Sequence, residues 1–208
     1  WFMIRVLIAD DSALMRKTLK RILESDSGIT VIGSARDGED VVVKARELQP
    51  DLITMDVNMP KQDGITALQY IVSEKICPVI MVSSLTQEGA QTTFEALELG
   101  AFDFVGKPGG TVSSDMQAVA DELIFKVKAA VGGGGRRVTE RLARKTSTAL
   151  SRRARVTRAG NRVMKAVAMG ISTGGPKMIY EVLPYIPRDI NAAFFLVQHM
   201  PANFSAAY

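Results

Sequence analysis

Cysteine, histidine and tryptophan each occur once among 208 residues, and aromatic side chains make up only 6% of them. A lone Cys77 excludes an internal disulfide and suits a reducing compartment, so the expected localisation is cytoplasmic. At the head of an apolar run, Cys77 reads as a buried, inert thiol. No apolar run approaches the roughly 20 residues that a membrane span needs, and membrane insertion is not expected. The opening Trp1-Phe2-Met3-Ile4-Arg5 shows no basic leader and no cleavage site, so no secretory signal is read there, and Met3 is a candidate natural start.

Charge is unevenly spread beneath a net value of +4. Residues 1–130 hold 13 Lys/Arg against 19 Asp/Glu, and residues 131–165 hold 11 Lys/Arg against Glu140 alone. Residues 166–208 hold two of each sign. The basic character therefore belongs to one short segment and not to a folded surface.

The first 130 residues alternate short β-rich runs with amphipathic stretches. Strands are expected at Ile4–Asp10, Ile29–Ala35, Leu52–Asp56, Val79–Ser83 and Phe102–Val105. Helical patterns fall at Ala13–Leu23, Gly38–Leu48, Gly64–Glu74, Glu88–Leu99 and Met116–Val131. Such alternation predicts an α/β fold, a five-stranded doubly wound parallel sheet with helices on both faces. Continuous apolar runs such as Val79-Ile80-Met81-Val82 suit strands covered on both sides. We place a complete domain at residues 3–131.

Gly132-Gly133-Gly134-Gly135 interrupts this pattern, and the arginine-rich stretch follows. Four consecutive glycines carry a large ordering entropy. Residues 132–165 are expected to be a flexible basic linker. Its cations suit phosphate contacts, but it has no aromatic platform and no helix-turn-helix pattern, so nucleic-acid binding is not expected. From Val163 a new strand is expected, centred on Lys165–Gly170, followed by a helical stripe through Met178, Ile179, Val182 and Leu183 and a second strand at Ala192–Val197. Residues 166–208 thus read as the first βαβ part of a second α/β domain, able to bury only one side of its sheet.

In a parallel sheet the loops at the carboxyl ends of the strands build the site. Those ends carry Asp10-Asp11, Asp56, Ser83 and Lys107-Pro108. Three carboxylates converging on one rim repel each other unless a divalent cation neutralises them, and an oxygen-rich, incompletely caged site suits Mg²⁺. Asp56 is then a candidate nucleophile towards a phosphoryl group. Ser83 can donate to a phosphoryl oxygen, Lys107 can pair with another, and bulky Phe104 lies where a packing change reports the new bond.

A second constellation lies near the other end. Gly170-Ile171-Ser172-Thr173-Gly174 is a G-x-S-x-G turn after an apolar run, the arrangement that exposes a nucleophilic serine before a helix. His199, at the end of the next strand, is the candidate base, and the reaction class is acyl transfer. Alone, the turn also fits a phosphate cradle and the histidine a structural role. A Walker loop is excluded, because Pro176 separates Gly175 from Lys177 and no Ser/Thr follows the lysine.

The stretches Ile8-Ala9-Asp10-Asp11-Ser12, Met55-Asp56-Val57-Asn58-Met59-Pro60, Val82-Ser83-Ser84 and Val105-Gly106-Lys107-Pro108 resemble the receiver domains of two-component response regulators. The resemblance implies a flavodoxin-like fold and Asp56 as phosphoacceptor. It implies Asp11 and Asp56 as Mg²⁺ ligands with the Asn58 backbone carbonyl, Asp10 acting through water, and Ser83, Phe104 and Lys107 as the switch. A sensor histidine kinase is the implied phosphodonor. Phe104 departs from the Tyr frequent in that family, losing a hydroxyl but keeping the volume.

With Met169–Pro176 and Val197-Gln198-His199-Met200-Pro201 added, the chain is similar to the chemotaxis protein-glutamate methylesterases. That similarity implies Ser172 as nucleophile, His199 as base, and hydrolysis of glutamyl methyl esters and deamidation of glutamines on methyl-accepting chemoreceptors. It also implies a third triad aspartate, which the 208 residues do not include, so this chain is expected to be inactive as an esterase. In that reading the unphosphorylated receiver covers the esterase cleft and phosphorylation relieves the block. Two other readings stay open: a non-catalytic receiver acting by partner binding, and a regulator that contacts DNA through its arginine segment.

Overall fold

A computed structural model describes residues 3–83, 87–107, 113–132, 165–187 and 189–198. The chain runs β1 (Ile4–Ala9), α1 (Ala13–Leu23), β2 (Ile29–Ala35), α2 (Gly38–Leu48), β3 (Leu52–Asp56), α3 (Gly64–Ser73), β4 (Val79–Ser83), α4 (Gln87–Glu98), β5 (Asp103–Gly106) and α5 (Ser113–Val131). After residues 133–164, which make up most of the expected linker and lie outside the described residues, come β6 (Lys165–Ile171), α6 (Gly175–Val182), a 3-10 turn at Leu183–Tyr185, and β7 (Ala192–Gln198).

The first five strands form one sheet in the order β2-β1-β3-β4-β5, every pairing parallel. Because side chains alternate across a strand, each strand feeds two cores. Leu7, Ile53, Met55 and Met81 face one side and pack with Val41, Leu68, Ile71 and Phe94 of α2, α3 and α4. Val6, Ile8, Leu52, Ile80 and Val82 face the other and pack with Leu19 and Leu23 of α1 and Leu123 and Val127 of α5. Every residue of β3 and β4 is buried, which is why Val79–Val82 of β4 reads as an unbroken apolar run with no two-residue period, while β3 buries the polar Thr54 among its apolar residues.

Helix starts are set by side-chain caps that satisfy otherwise unpaired amides. Ser12 Oγ accepts from Met15 N–H, Asp37 Oδ1 from Asp40 N–H, and Asp63 Oδ1 from Thr66 N–H. The boundaries of β2, β3, β4, α1 and α2 are those expected from the sequence. Elsewhere they shift by a few residues. β1 stops at Ala9 because the Asp10 carboxylate takes the Ser12 N–H and turns the chain outward. β5 starts at Asp103, since its register pairs Ile80 with Asp103 and Ser83 with Gly106. α5 begins three residues earlier than its apolar period indicates, in the polar stretch Ser113-Ser114-Asp115.

The second sheet has two strands, β6 and β7, paired in parallel from Lys165↔Ala192 to Ile171↔Gln198 and joined by α6. This is the expected βαβ unit. Its β7 leaves Phe195 59% and Val197 70% exposed on one face and Phe194 36% and Leu196 38% on the other, so this strand is open beyond the one uncovered side expected.

The start of α3 is fixed by a close approach to the end of β3. Gly64 N–H donates to Val57 O at 2.9 Å, and a Cβ at position 64 would stand 1.9 Å from the Asp56 carbonyl oxygen. Backbone cannot yield as a flexible side chain can. Gly64→Ala is therefore expected to destabilise the protein by about 1–3 kcal/mol, read as a lowered midpoint in thermal or urea melts. A variant melting with the wild type would refute this constraint.

Candidate functional site

The parallel register brings the carboxyl ends of β1, β3, β4 and β5 to one rim, and with them Asp10, Asp11, Asp56, Ser83 and Lys107. One carboxylate oxygen from each of Asp10, Asp11 and Asp56 lies within 4.8 Å of the others. Asp10 and Asp56 are buried and Asp11 is exposed. Lys107 Nζ donates to Asp56 Oδ2 at 2.7 Å and stands 3.2 Å from Asp10 Oδ2. Ser83 is buried at the end of β4, and its carbonyl accepts the Lys107 N–H at 2.7 Å, which ties the lysine to the strand end.

Burial pushes the Asp56 carboxyl above the ordinary carboxylate range. Lys107 and the Asn58 N–H pull it back, the Asp10 charge pushes it further up, and the net direction is upward. For the Lys107 ammonium, burial is the largest influence and acts downward, but the attraction of Asp56 and Asp10 together outweighs it and raises the pKa. Asp10 Oδ2 is buried, and its partner is the Lys107 ammonium at 3.2 Å, which it shares with Asp56. Two buried carboxylates that share a single ammonium leave net negative charge that a further cation would offset. With three carboxylates, the donor set is all oxygen, as a hard divalent cation such as Mg²⁺ requires.

Phe104 is buried, edge-on to Phe94 with ring centroids 6.3 Å apart. Lys126 Nζ lies 5.0 Å from the centre of the Phe104 ring. That ammonium is itself buried and has three acceptors: Phe104 O at 2.5 Å, Glu122 Oε1 at 2.8 Å and Asp103 Oδ1 at 3.1 Å. Lys126 and Arg16 belong to none of the motifs that mark the site in the sequence, and Asp103, beside Phe104, carries no role there. Arg16 Nη1 donates to the Asp10 and Asp11 carbonyls at 2.7 and 2.9 Å and holds the loop that carries both acids. For Lys126 the available signal is a lysine between Leu123 and Val127 on a buried helix face.

Ser172 is exposed, just past β6 and ahead of α6. The turn is closed by Gly175 N–H to Ser172 O at 2.8 Å, with Gly174 in the left-handed region at φ +71°. Gly174 N–H donates to Asp103 Oδ2 at 2.5 Å, a link between this turn and β5. His199 lies outside the described residues. β7 ends at Gln198, in register with Ile171, the residue before Ser172. The structure therefore brings together the acidic rim, Ser83 and Lys107, and sets Phe104 on the same strand as Asp103. Ser172 belongs to a separate sheet.

Comparison with known proteins follows the same division. Residues 6–117 match the response regulator receiver domain, and residues 167–208 match the CheB methylesterase. A "Protein-glutamate methylesterase/protein-glutamine glutaminase 3" of Syntrophomonas wolfei is 72% identical over 209 residues, covering 99% of this chain and 59% of that protein. A protein-glutamate methylesterase/protein-glutamine glutaminase of Caldanaerobacter subterraneus is 52% identical, with 99% and 57% covered. This chain thus spans less than two thirds of the length of these relatives. The crystal structure of the response regulator domain of Thermotoga maritima CheB superposes with a TM-score of 0.57 at 51% identity, covering 62% of this chain and 97% of that one.

The raised Asp56 pKa has a consequence for stability. The folded state binds this proton more tightly than the unfolded chain, so Asp56 stabilises the fold fully below the ordinary carboxylate value and loses that contribution as pH rises through the raised one. At neutral pH the ionised, buried carboxylate is a burden. Asp56→Asn is expected to melt higher than the wild type at pH 7, with the difference shrinking as pH falls through the raised value towards the ordinary one. Equal melting at both ends of that range would show that Lys107 compensates the burial in full.

Proposed function

The chain belongs to the response regulator receiver family and continues into a CheB methylesterase match, and from that we propose that it is the phosphorylation-controlled part of a chemotaxis protein-glutamate methylesterase and glutaminase. The observation that carries the reading is the buried Asp56 beside Asp10, Asp11 and Lys107 at the carboxyl rim of a parallel sheet. Asp56 is the phosphoacceptor. Its carboxylate oxygen attacks the phosphorus of a phosphohistidine on a sensor kinase, the phosphorus–nitrogen bond breaks, and an aspartyl phosphate forms.

Asp11, Asp56 and the Asn58 carbonyl would hold Mg²⁺, with Asp10 acting through water. When bound, the cation offsets the negative charge that gathers on the phosphoryl oxygens during transfer. Lys107 supplies positive charge from the protein itself, since it already sits on the Asp56 carboxylate and can pass to a phosphoryl oxygen. Ser83 donates its hydroxyl to another. The switch reading of Ser83, Phe104 and Lys107 is supported by the Lys107 N–H bond to the Ser83 carbonyl and by the pairing of β5, which carries Phe104, with β4, which carries Ser83.

Residues 3–131 would form the receiver, 132–165 the linker, and 166–208 the beginning of the methylesterase domain. Ser172 would be the esterase nucleophile and His199 its base, acting on methyl esters of chemoreceptor glutamates in the cytoplasm. The Gly174–Asp103 hydrogen bond supports a receiver that sits against the serine turn until phosphorylated. A receiver acting only by binding partners is the alternative, and the methylesterase match at residues 167–208 weighs against it.

Mg²⁺-dependent labelling by a small phosphodonor such as acetyl phosphate is expected for the wild type and should vanish in Asp56→Asn. Persistent labelling of that variant would move the acceptor elsewhere. The 208-residue chain, whose Ser172 stands on a two-stranded sheet, is expected to release no methanol from methylated receptor membranes, and measurable release would refute that expectation.

A further inference from the structure

A groove of about 570 Å³ runs beside the acidic rim, lined by Arg16, Arg36, Asp37, Lys44 and Lys61 among others. Three of its cations face acceptors of the protein itself, and the exposed Arg36 lies 4.0 Å from Asp37 Oδ2. Arg16 holds the Asp10 and Asp11 carbonyls, and Lys44 holds Asp40 and the Ser34 carbonyl. Lys61 Nζ donates to Asp37 Oδ2 at 2.9 Å. The groove is therefore a set of braces rather than a place for an anionic ligand.

The Lys61 brace has the most unusual geometry. Lys61 lies in the β3–α3 loop, five residues after Asp56, at φ +61°, in the left-handed region that non-glycine residues enter rarely. Such a conformation persists only where its surroundings over-determine it, and it concentrates at functional sites. Here the surroundings are the start of α2. Asp37 is buried, and its carboxyl is held below the ordinary range first by the Asp40 N–H and then by Lys61. Next to it, Gly38 N–H donates to Gln62 O at 2.9 Å, and a Cβ on Gly38 would stand 2.4 Å from that oxygen. The loop is thus clamped to α2 at two successive residues, Lys61 and Gln62. The same loop carries Asn58, whose N–H bonds the Asp56 carboxylate.

We propose that Asp37 and Lys61 are positioning residues for the phosphoacceptor site, clamping the β3–α3 loop so that Asn58 stays in register with Asp56 for cation binding. Neither side chain touches the acidic cluster. They act through the loop backbone, as residues behind metal ligands do when they fix ligand orientation. This inference rests on the proposed reading of Asp11, Asp56 and Asn58 as the Mg²⁺ site.

The test is calorimetric titration of Mg²⁺ into the 208-residue chain and its variants, with thermal melting alongside. Wild type should bind Mg²⁺. Lys61→Ala and Asp37→Asn should each weaken binding by about tenfold. Lys61→Arg, which keeps a cation for Asp37, should bind within about twofold of the wild type. Lys61 is 56% exposed at its side chain, so its alanine variant should remain folded. Affinities of Lys61→Ala and Asp37→Asn within about twofold of the wild type would overturn the clamp while leaving the cation site intact. So would an arginine variant as weak as the alanine one, because the loss would then owe nothing to the ion pair. A wild type that binds no Mg²⁺ would instead strike the phosphoacceptor reading on which the clamp depends.

Discussion

One ammonium is shared by two carboxylates that water barely reaches: Lys107 holds Asp56 at 2.7 Å and stands 3.2 Å from Asp10. At an effective dielectric of about 20, two unit charges about 4.8 Å apart repel by roughly 3–4 kcal/mol. Among the described residues, no other cation lies within ion-pair distance of this pair. The rim is consequently balanced without a metal only in part, because one ammonium serves two buried carboxylates and a third, Asp11, stands beside them. A site in this condition favours the arrival of positive charge and responds to a change of charge on Asp56. Both properties suit a residue that accepts a phosphoryl group and passes on the consequence.

Holding like charges this close requires that the backbone beneath them not give way. The sheet supplies that rigidity with β3 and β4 buried throughout and with two cores, one on each face. The loops are restrained separately. Arg16 ties down the β1–α1 loop through the Asp10 and Asp11 carbonyls, and the start of α3 is pressed against the Asp56 carbonyl at Gly64. Carboxylates on a slack rim would relieve their repulsion by turning outward into water. The restraints keep Asp56 buried, and that burial, with a smaller push from the Asp10 charge, is what raises its pKa.

The parallel sheet, its helices and the acidic rim are legible in the sequence because each leaves a local mark. Val79-Ile80-Met81-Val82 can be little but a strand buried on both faces, and Asp10-Asp11, Asp56 and Lys107 fall at the ends where such sheets place their chemistry. The braces are not legible. Arg16, Asp37 and Lys61 are polar residues at positions where polar residues are ordinary, and their partners lie on other elements or are backbone carbonyls. Lys126 on a buried stripe is a visible anomaly, yet only the fold reveals that Asp103, Glu122 and the Phe104 carbonyl receive it. The limits of β5 and α5 escape for a simpler reason. The ladder register sets the first, and the second begins in a polar stretch with no apolar period to show it.

The same buried polar logic connects β5 to the serine turn. Asp103 is 1% exposed and serves three donors: the Phe104 N–H, the Lys126 ammonium and the Gly174 N–H. A carboxylate can accept about four hydrogen bonds, so three leave it nearly satisfied. Losing one donor of a buried carboxylate exposes the full cost of its desolvation, whereas exchanging one donor for another costs little. Movement of the Gly174 turn away from β5 is therefore tolerable only if water reaches Asp103 in its place. Lys126 binds the same carboxylate and also lies over Phe104, so a repacking of that ring alters the neighbour on which Asp103 depends. Asp103 is thus the point where the packing of Phe104 and the seating of the Ser172 turn draw on the same limited set of hydrogen bonds.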